Sequence, residues 1–268
     1  SMLIAPLFFL STVTACAALR LWSSLGVPGR RRPAAAALDT AAADKPMPTL
    51  YCKPSRDGAA VGDCPFTHYA RMALELAGES YVVQPTAKDA KPAWLVSEHG
   101  GSMPCLAPDP IEGAGAVSES AAIAAAALPP TEGDSASMQA VSALFGAIAK
   151  FVKNTDATKD DELRTGLDTE LGKLESRLAD LASSSSSDDG LPWLSGTATP
   201  GLADCSVATK LYVLQVAGGH YKQYAVSPET WPRVDAYMRH AFQDAAFAKT
   251  KYDPDEMIYG WGQARGGA

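Results

Sequence analysis

The sequence lacks any C-x-x-C pair, and its five cysteines are few and widely spaced. An odd number of scattered cysteines does not suit a small disulfide-bonded secreted protein, nor does it provide a structural zinc site. The four histidines also lack the spacing of metal ligands, so no metal is predicted. Positive charge is not in excess either, because the net charge is −7. An acidic chain repels phosphate backbones, and no nucleic-acid partner is predicted.

Acidic residues are missing from the first 38 positions, where an apolar run at 3–19 is followed by Arg20 and by arginines at 30–32. Arginine and alanine without acids are typical of an organelle transit peptide. A secretory signal and a membrane anchor are the alternatives, although no charge precedes the apolar run and the run is short for a membrane span. We expect residues 1–47 to be a targeting or disordered segment, and the folded part to make no stable membrane contact.

Short β-prone segments alternate with helical ones in residues 48–129, which we predict to be one domain. Strands are predicted at 49–52, 81–84, 104–108 and 114–117, and helices at 64–78, 92–98 and 118–128. Gly78 suits a C-terminal helix cap. Such alternation predicts a small α/β sheet with helices on its faces.

Only helical periodicity follows Pro129-Pro130 and a predicted linker at 131–135. Helices are predicted at 137–153, 160–182 and 203–217, with at least one more within 229–249, and a mobile serine-rich loop is predicted at 183–189. The apolar stripes of these helices are interpreted as core. We therefore predict an all-α domain over residues 136–262.

Cys64 is the candidate nucleophile, because Pro65 favours the first position of the predicted helix and so places Cys64 at its N-cap. Free N–H groups and the positive end of the helix dipole stabilise an anion there, and a thiolate is such an anion. Thr67 stands where a dithiol protein would have its second cysteine. Cys64 must then form its disulfide with an external thiol, for which glutathione is the candidate.

The alternative without a catalytic role is that Cys64 and Pro65 only start a helix and that the thiol is buried. The strand before Cys64 and the helix after it favour the functional interpretation. So does Met103-Pro104, which precedes a later predicted strand, because X-Pro bonds adopt the cis form cheaply and a cis proline faces the active cysteine in thioredoxin-like folds.

Three motifs resemble the dehydroascorbate reductases, a plant-type branch of the glutathione transferase superfamily. They are GDCPF at 62–66, KLYVLQVAGGHYKQY at 210–224, and the tail FAKTK…GWGQA at 247–264. The resemblance runs from about Leu50 to Trp261. It implies the glutathione transferase fold, with an α/β N-terminal thioredoxin-like domain and an all-α C-terminal domain.

The resemblance also implies roles for individual residues. Cys64 is the nucleophile, and Lys53 and Asp63 hold substrate beside it. The other residues implied to contact glutathione are Lys91, Met103, Glu119, Ser120 and His220, and Trp261 is implied to line the ascorbate pocket. Without the resemblance, Lys53 reads as a solvated surface lysine.

The sequence departs from the family at several positions. Glu119 replaces the aspartate that is usual in the family. Gly201 replaces a helix-capping serine three residues before Asp204. Ala264 occupies the place of a tail lysine, for which Arg265 is a possible substitute.

We expect a dehydroascorbate reductase that uses glutathione as co-substrate, binds no permanent cofactor and is a monomer. Chloroplast is the expected location, with mitochondrion or cytoplasm as alternatives. An omega-type thiol transferase shares the C-P-F helix start, as does a non-enzymatic redox protein resembling the chloride intracellular channels. A redox sensor that is glutathionylated on Cys64 is a further alternative.

Overall fold

The computed structural model describes residues 47–184 and 191–266, and in this part of the chain all strands lie before residue 119. The elements of this part are β1 (Thr49–Cys52), α1 (Pro65–Leu76), β2 (Val82–Pro85), α2 (Ala93–His99), β3 (Cys105–Ala107), β4 (Val117–Ser118) and α3 (Ser120–Ala127). Every predicted element is present. The largest discrepancy is at β4, which begins at Val117 and not at 114.

The four strands form one mixed sheet in the order β2-β1-β3-β4. β1 pairs in parallel with β2 and antiparallel with β3, which in turn pairs antiparallel with β4. Tyr51 lies opposite Cys105 in an antiparallel pair. The end of β1 and the start of β3 are therefore neighbours, and so are the segments that follow β1 and precede β3. One of these segments carries Lys53 and the other carries Met103.

Helix α1 packs between the sheet and the helical half of the molecule. Its Leu74 belongs to a buried cluster with Leu50 of β1, whereas Met72 belongs to the core shared with the later helices. The helix ends before Gly78, whose φ of +71° confirms the predicted glycine cap. Because α1 is fixed on two sides, its first residues and the preceding Cys64 have a defined position.

The rest of the described chain is helical. Its elements are α4 (Glu132–Ala140), α5 (Leu144–Lys153), a 3₁₀ turn (Ala157–Lys159), α6 (Asp160–Ser184), α7 (Leu202–Val213), a π-helical segment (Leu214–Gly218), α8 (Gly219–Lys222), α9 (Pro232–Ala241), α10 (Ala245–Thr250) and α11 (Pro254–Ala264). Leu167, Leu171 and Leu174 of α6 are fully buried, as their helical spacing predicted. Together with the small sheet, these helices confirm the predicted fold class.

The predicted linker at 131–135 is wrong, since α4 begins there. Thr131 accepts a hydrogen bond from the Asp134 N–H (3.0 Å), and the Asp134 carboxylate accepts one from the Thr131 N–H (2.9 Å). This reciprocal capping box starts a helix even in a polar sequence. The predicted helix at 137–153 is in fact the end of α4 and the whole of α5. The predicted mobile loop at 183–189 falls mostly outside the described residues.

A neighbouring helix supplies the cap that Gly201 lacks. The Asp134 carboxylate accepts the Ala203 N–H (2.8 Å), a donor that an N-cap side chain would otherwise serve. A Cβ on Gly201 would lie 2.5 Å from the Ser195 Cβ, so the absence of a side chain there is a packing requirement. Asp204 accepts the Gly201 N–H (2.9 Å) from within the same helix start.

One segment of the described chain, Glu132–Lys153, is long and apolar enough to meet the criteria for a membrane span. It is divided into α4 and α5. Leu144, Ile148 and Phe151 are fully buried in the helical core. Core helices of soluble proteins meet the same criteria, and this packing accounts for the apolar residues of α5.

Candidate active site around Cys64

Cys64 is the N-cap residue of α1, and its backbone is extended (φ −77°, ψ 110°). The Cys64 carbonyl accepts the first helical hydrogen bond from the His68 N–H (3.1 Å). Its partly exposed side chain makes no capping hydrogen bond. Pro65 has no N–H, so the helix offers the N–H groups of its next residues to an anion at this end. The predicted N-cap position is confirmed.

Three other cysteines are fully buried, namely Cys52, Cys105 and Cys205. Burial raises the pKa of Cys52 and of Cys105 to about 12, and it raises the pKa of Cys205 well above its usual value. These three remain protonated thiols at neutral pH. Cys16 lies outside the described residues. Of the four cysteines that the structure describes, Cys64 alone is open to solvent.

An ion pair includes Asp63, the residue before Cys64. The Lys53 Nζ lies 2.5 Å from the Asp63 Oδ1, and the Lys53 side chain is half exposed whereas that of Asp63 is largely buried. The loop between them is closed by a hydrogen bond from the Gly62 N–H to the Lys53 carbonyl (2.8 Å). The site thus combines a thiol at a helix N-terminus with an accessible ammonium group on an adjoining strand end.

The C-terminal helix α11 lies against this loop. A Cβ placed on Gly260 would be 2.1 Å from the Asp63 Cγ, so the Asp63 carboxyl occupies the space beside that glycine. Arg56 donates from its Nε to Glu256 (2.7 Å). The hydroxyl of Tyr252, just before α11, donates to the Cys64 carbonyl. The sequence motif pointed to the tail but to none of these contacts, because they join residues about 200 positions apart.

The residues expected to bind glutathione lie in segments at one end of the sheet. The Met103-Pro104 peptide bond is cis, as predicted. The Lys91 Nζ donates to the Gly101 carbonyl (2.6 Å), two residues before Met103. Ser102 lies between Gly101 and Met103, and its hydroxyl is 3.5 Å from the Glu119 Oε1. Lys91, Met103 and Glu119 are therefore brought into one region.

Glu119 has an unusual backbone for a residue with a side chain. It is the exposed N-cap of α3, with φ 75° and ψ 117°, and the buried Ser120 opens the helix. A positive φ at such a residue costs of the order of 1–3 kcal/mol and is concentrated at functional sites. The strained turn presents the Glu119 carboxylate and the first N–H groups of α3 together.

The two residues assigned from the helical half are less directly placed. His220 is exposed on α8, and its ring lies 4.6 Å from that of Tyr221, whose hydroxyl donates to the Ile258 carbonyl of α11 (2.7 Å). Trp261 is buried beside Gly260, and the Lys153 Nζ lies 5.7 Å from its ring centre. Within residues 47–184 and 191–266 no hydrogen bond joins the His220 or Trp261 side chain to the Cys64 loop.

Arg265 is engaged elsewhere. Its guanidinium donates to the Val152 and Asn154 carbonyls at the end of α5 and lies over the Tyr221 ring. These contacts tie the end of α11 to α5, a structural role that sequence reasoning did not foresee. No cluster of metal-ligating side chains occurs among the residues that the structure describes.

His68 lies one turn after Cys64 in an aromatic enclosure. Its buried ring is 4.9 Å from that of Phe247 and 5.1 Å from that of Tyr252. Burial, followed by the positive charge of Arg71, lowers the pKa of His68 to about 3. An unfolded histidine has a pKa near 6.5. His68 is therefore neutral in the folded protein and does not serve as a base at the thiol.

We expect this histidine to make the protein acid-sensitive. The folded-state pKa is lowered, so stability is complete above about pH 6.5 and falls toward pH 3 as the unfolded chain takes up a proton. The free energy of unfolding should fall by about 2 kcal/mol from this residue between pH 7.5 and 5. Urea unfolding of the wild type and of His68→Leu at both pH values measures the difference. Equal pH dependence in the two proteins would contradict the prediction.

Comparisons with known proteins agree with this fold. The family model "Glutathione S-transferase, C-terminal domain" matches residues 139–240. Among solved structures, the fold is similar to a dehydroascorbate reductase of Chlamydomonas reinhardtii (TM-score 0.67, 20% identity, 82% of this chain and all of that one). It is also similar to glutathione transferase Omega 1C of Trametes versicolor (TM-score 0.59, 18% identity, 82% of this chain and 98% of that one).

Sequence relatives are closer. Glutathione S-transferase DHAR3, chloroplastic, of Arabidopsis thaliana is 27% identical over 208 residues, which are 75% of this chain and 74% of that protein. Glutathione S-transferase DHAR2 of the same plant is 30% identical over 208 residues, covering 75% of this chain and 90% of that protein. With a thiol at the start of α1, the two-part fold and a relative matched over nearly its whole length, this chain belongs to the dehydroascorbate reductase family of glutathione transferases.

Proposed function

We propose that this protein reduces dehydroascorbate to ascorbate with glutathione, and that Cys64 is its nucleophile. The observation that carries the proposal is the position of Cys64, the accessible thiol at the N-terminus of α1, beside the Lys53–Asp63 pair. The names of the relatives support the choice of substrate. The N–H groups at the start of α1 point toward an anion at this place.

The proposed cycle has three steps. Dehydroascorbate takes two electrons from the Cys64 thiolate, water supplies oxygen to the sulfur, and the products are the ascorbate monoanion and a sulfenic acid on Cys64. A glutathione thiol condenses with the sulfenic acid, losing water, to give a mixed disulfide. A second glutathione thiolate attacks the glutathione sulfur of that disulfide, releasing oxidised glutathione and the Cys64 thiolate. Thr67 offers no second thiol, so glutathione performs both later steps.

In this proposal the same end of the sheet supplies the glutathione site. The Met103 backbone binds the tripeptide next to the thiol, and Lys91 lies on the same side. Glu119 and Ser120 receive its glutamyl end at the N-terminus of α3, where N–H groups suit a carboxylate. His220 of α8 is proposed to contact glutathione from the helical half. Lys53, Asp63 and Trp261 are proposed to contact dehydroascorbate.

The test is ascorbate formation at pH 7 from glutathione and dehydroascorbate, compared with the uncatalysed rate. Both substrates are varied, and the three-step cycle predicts parallel lines in double-reciprocal plots because ascorbate leaves before glutathione reacts. Intersecting lines would reject that order. Turnover of mixed disulfides in preference to dehydroascorbate would instead indicate an omega-type thiol transferase. The fold of this chain is also similar to that of glutathione transferase Omega 1C of Trametes versicolor.

We further propose that the protein acts in the chloroplast as a monomer, with its glutathione-binding domain at 48–129. The relatives named chloroplastic support the location, and the acid-free N-terminal sequence supports import. Residues 1–46 lie outside the described part of the chain. Fluorescence imaging of the tagged full-length chain tests the location, and light scattering tests the oligomeric state.

A further inference from the structure

Tyr252 makes a hydrogen bond to the backbone of the nucleophile itself. It lies between α10 and α11 and is 4% exposed. Its hydroxyl donates to the Cys64 carbonyl, the same oxygen that accepts the His68 N–H at 3.1 Å. The N-cap carbonyl therefore has two donors, one from its own helix and one from a residue 188 positions away.

The tyrosine is held on its other sides as well. The Tyr212 hydroxyl donates to the Tyr252 carbonyl (2.9 Å), and the His68 ring lies 5.1 Å from the Tyr252 ring. Burial, followed by the neighbouring Cys64 sulfur, raises the pKa of Tyr252 well above its usual value. The hydroxyl therefore keeps its proton and remains a donor throughout the pH range of thiol chemistry.

A donor at this carbonyl affects the thiol in two ways. It fixes the peptide that sets the direction of the Cys64 side chain. It also adds a second donor to the oxygen that accepts the first helical hydrogen bond, in a buried place where hydrogen bonds polarise one another. Both effects hold the Cys64 sulfur in a fixed direction and surroundings at the start of α1.

We propose that Tyr252 is a positioning residue for Cys64, through which the C-terminal segment sets the reactivity of the nucleophile. The proposal rests on the function proposed above, in which Cys64 is the attacking group. It assigns Tyr252 no contact with dehydroascorbate or glutathione.

The test is Tyr252→Phe, which keeps the ring and removes the donor. The variant should fold, because the His68 N–H still satisfies the Cys64 carbonyl and Tyr212 still donates to the backbone of residue 252. Alkylation of Cys64 by iodoacetamide, followed by mass spectrometry of its peptide, should slow about fivefold at pH 7, as loss of one hydrogen bond predicts. In the ascorbate assay kcat should fall by a similar factor, with an unchanged KM for glutathione.

Tyr224→Phe is the matched control, because Tyr224 is also buried and its hydroxyl donates to Asp168 (2.8 Å), outside the site. It should lower the melting temperature without changing alkylation of Cys64. Wild-type alkylation kinetics in Tyr252→Phe would overturn the proposal, and so would equal slowing in both variants. If the wild type made no ascorbate but Tyr252→Phe still slowed alkylation, the proposed substrate would be wrong and the positioning role would stand.

Discussion

Replacement of Cys64 by serine should lower the rate of ascorbate formation at least about a thousandfold. A serine hydroxyl fills nearly the same space at the start of α1 but is not ionised at neutral pH. It also cannot form a disulfide with glutathione. Because the Cys64 side chain makes no capping hydrogen bond, the substitution removes chemistry and not structure. Serine is itself a good N-cap residue, so the melting temperature should not fall.

The measurement is the initial rate with both substrates saturating, together with the melting temperature of each protein. Cys52→Ala is the control, because Cys52 is fully buried and burial raises the pKa of its thiol to about 12. This variant should keep most of the activity. A Cys64→Ser protein that retains a tenth of the wild-type rate would show that another group carries the reaction. Loss of activity in the Cys52 variant without loss of folding would point to the same conclusion.

Gly260→Ala should lower kcat/KM for dehydroascorbate about a hundredfold, the cost of a displacement of about 1 Å at a reacting centre. The new Cβ would lie 2.1–2.3 Å from three atoms of the Asp63 carboxyl group. Either α11 or Asp63 must move, and the Lys53–Asp63 pair at 2.5 Å must change with it. Alanine favours helices by about 1 kcal/mol over glycine, so weakening of α11 does not explain such a loss.

Gly166→Ala is the matched control, since a Cβ on that helical glycine meets nothing within 4 Å. It should leave activity unchanged and raise the stability slightly. A double-mutant cycle identifies the clash, because Gly260→Ala should cost little more in a protein that already carries Asp63→Ala. Full additivity of the two losses would show that Gly260 acts through something other than Asp63.

Local signals in the sequence were enough to predict most of the elements and the N-cap position of Cys64. Pro65 at the first helical position and Gly78 after the last one bounded α1, and Cys64 followed as its N-cap. The leucine spacing of α6 predicted its buried face. Thr131 and Asp134 carried an equally local signal, a capping box, which was overlooked because the surrounding residues are polar.

The contacts of the tail could not be predicted in this way. Nothing in the sequence near Gly260 shows that Asp63 fills the space beside it, and nothing near Tyr252 shows that its hydroxyl reaches Cys64. Such pairs are fixed by the packing of α1, α10 and α11 into one core. Arg265 illustrates the same limit: the sequence suggested only a substitute for the tail lysine of the family, whereas the side chain donates to carbonyl oxygens at the end of α5.

The 188 positions between Cys64 and Tyr252 also impose an order in time. A ribosome adding about 5–20 residues per second needs roughly 10–40 s to travel from one to the other. During that interval the nascent chain has Cys64 and its loop without the Tyr252 hydroxyl, Glu256 and Gly260, which later contact that loop. Tyr252 and α11 are thus synthesised well after the loop, and a chain interrupted before Tyr252 would lack all of these contacts.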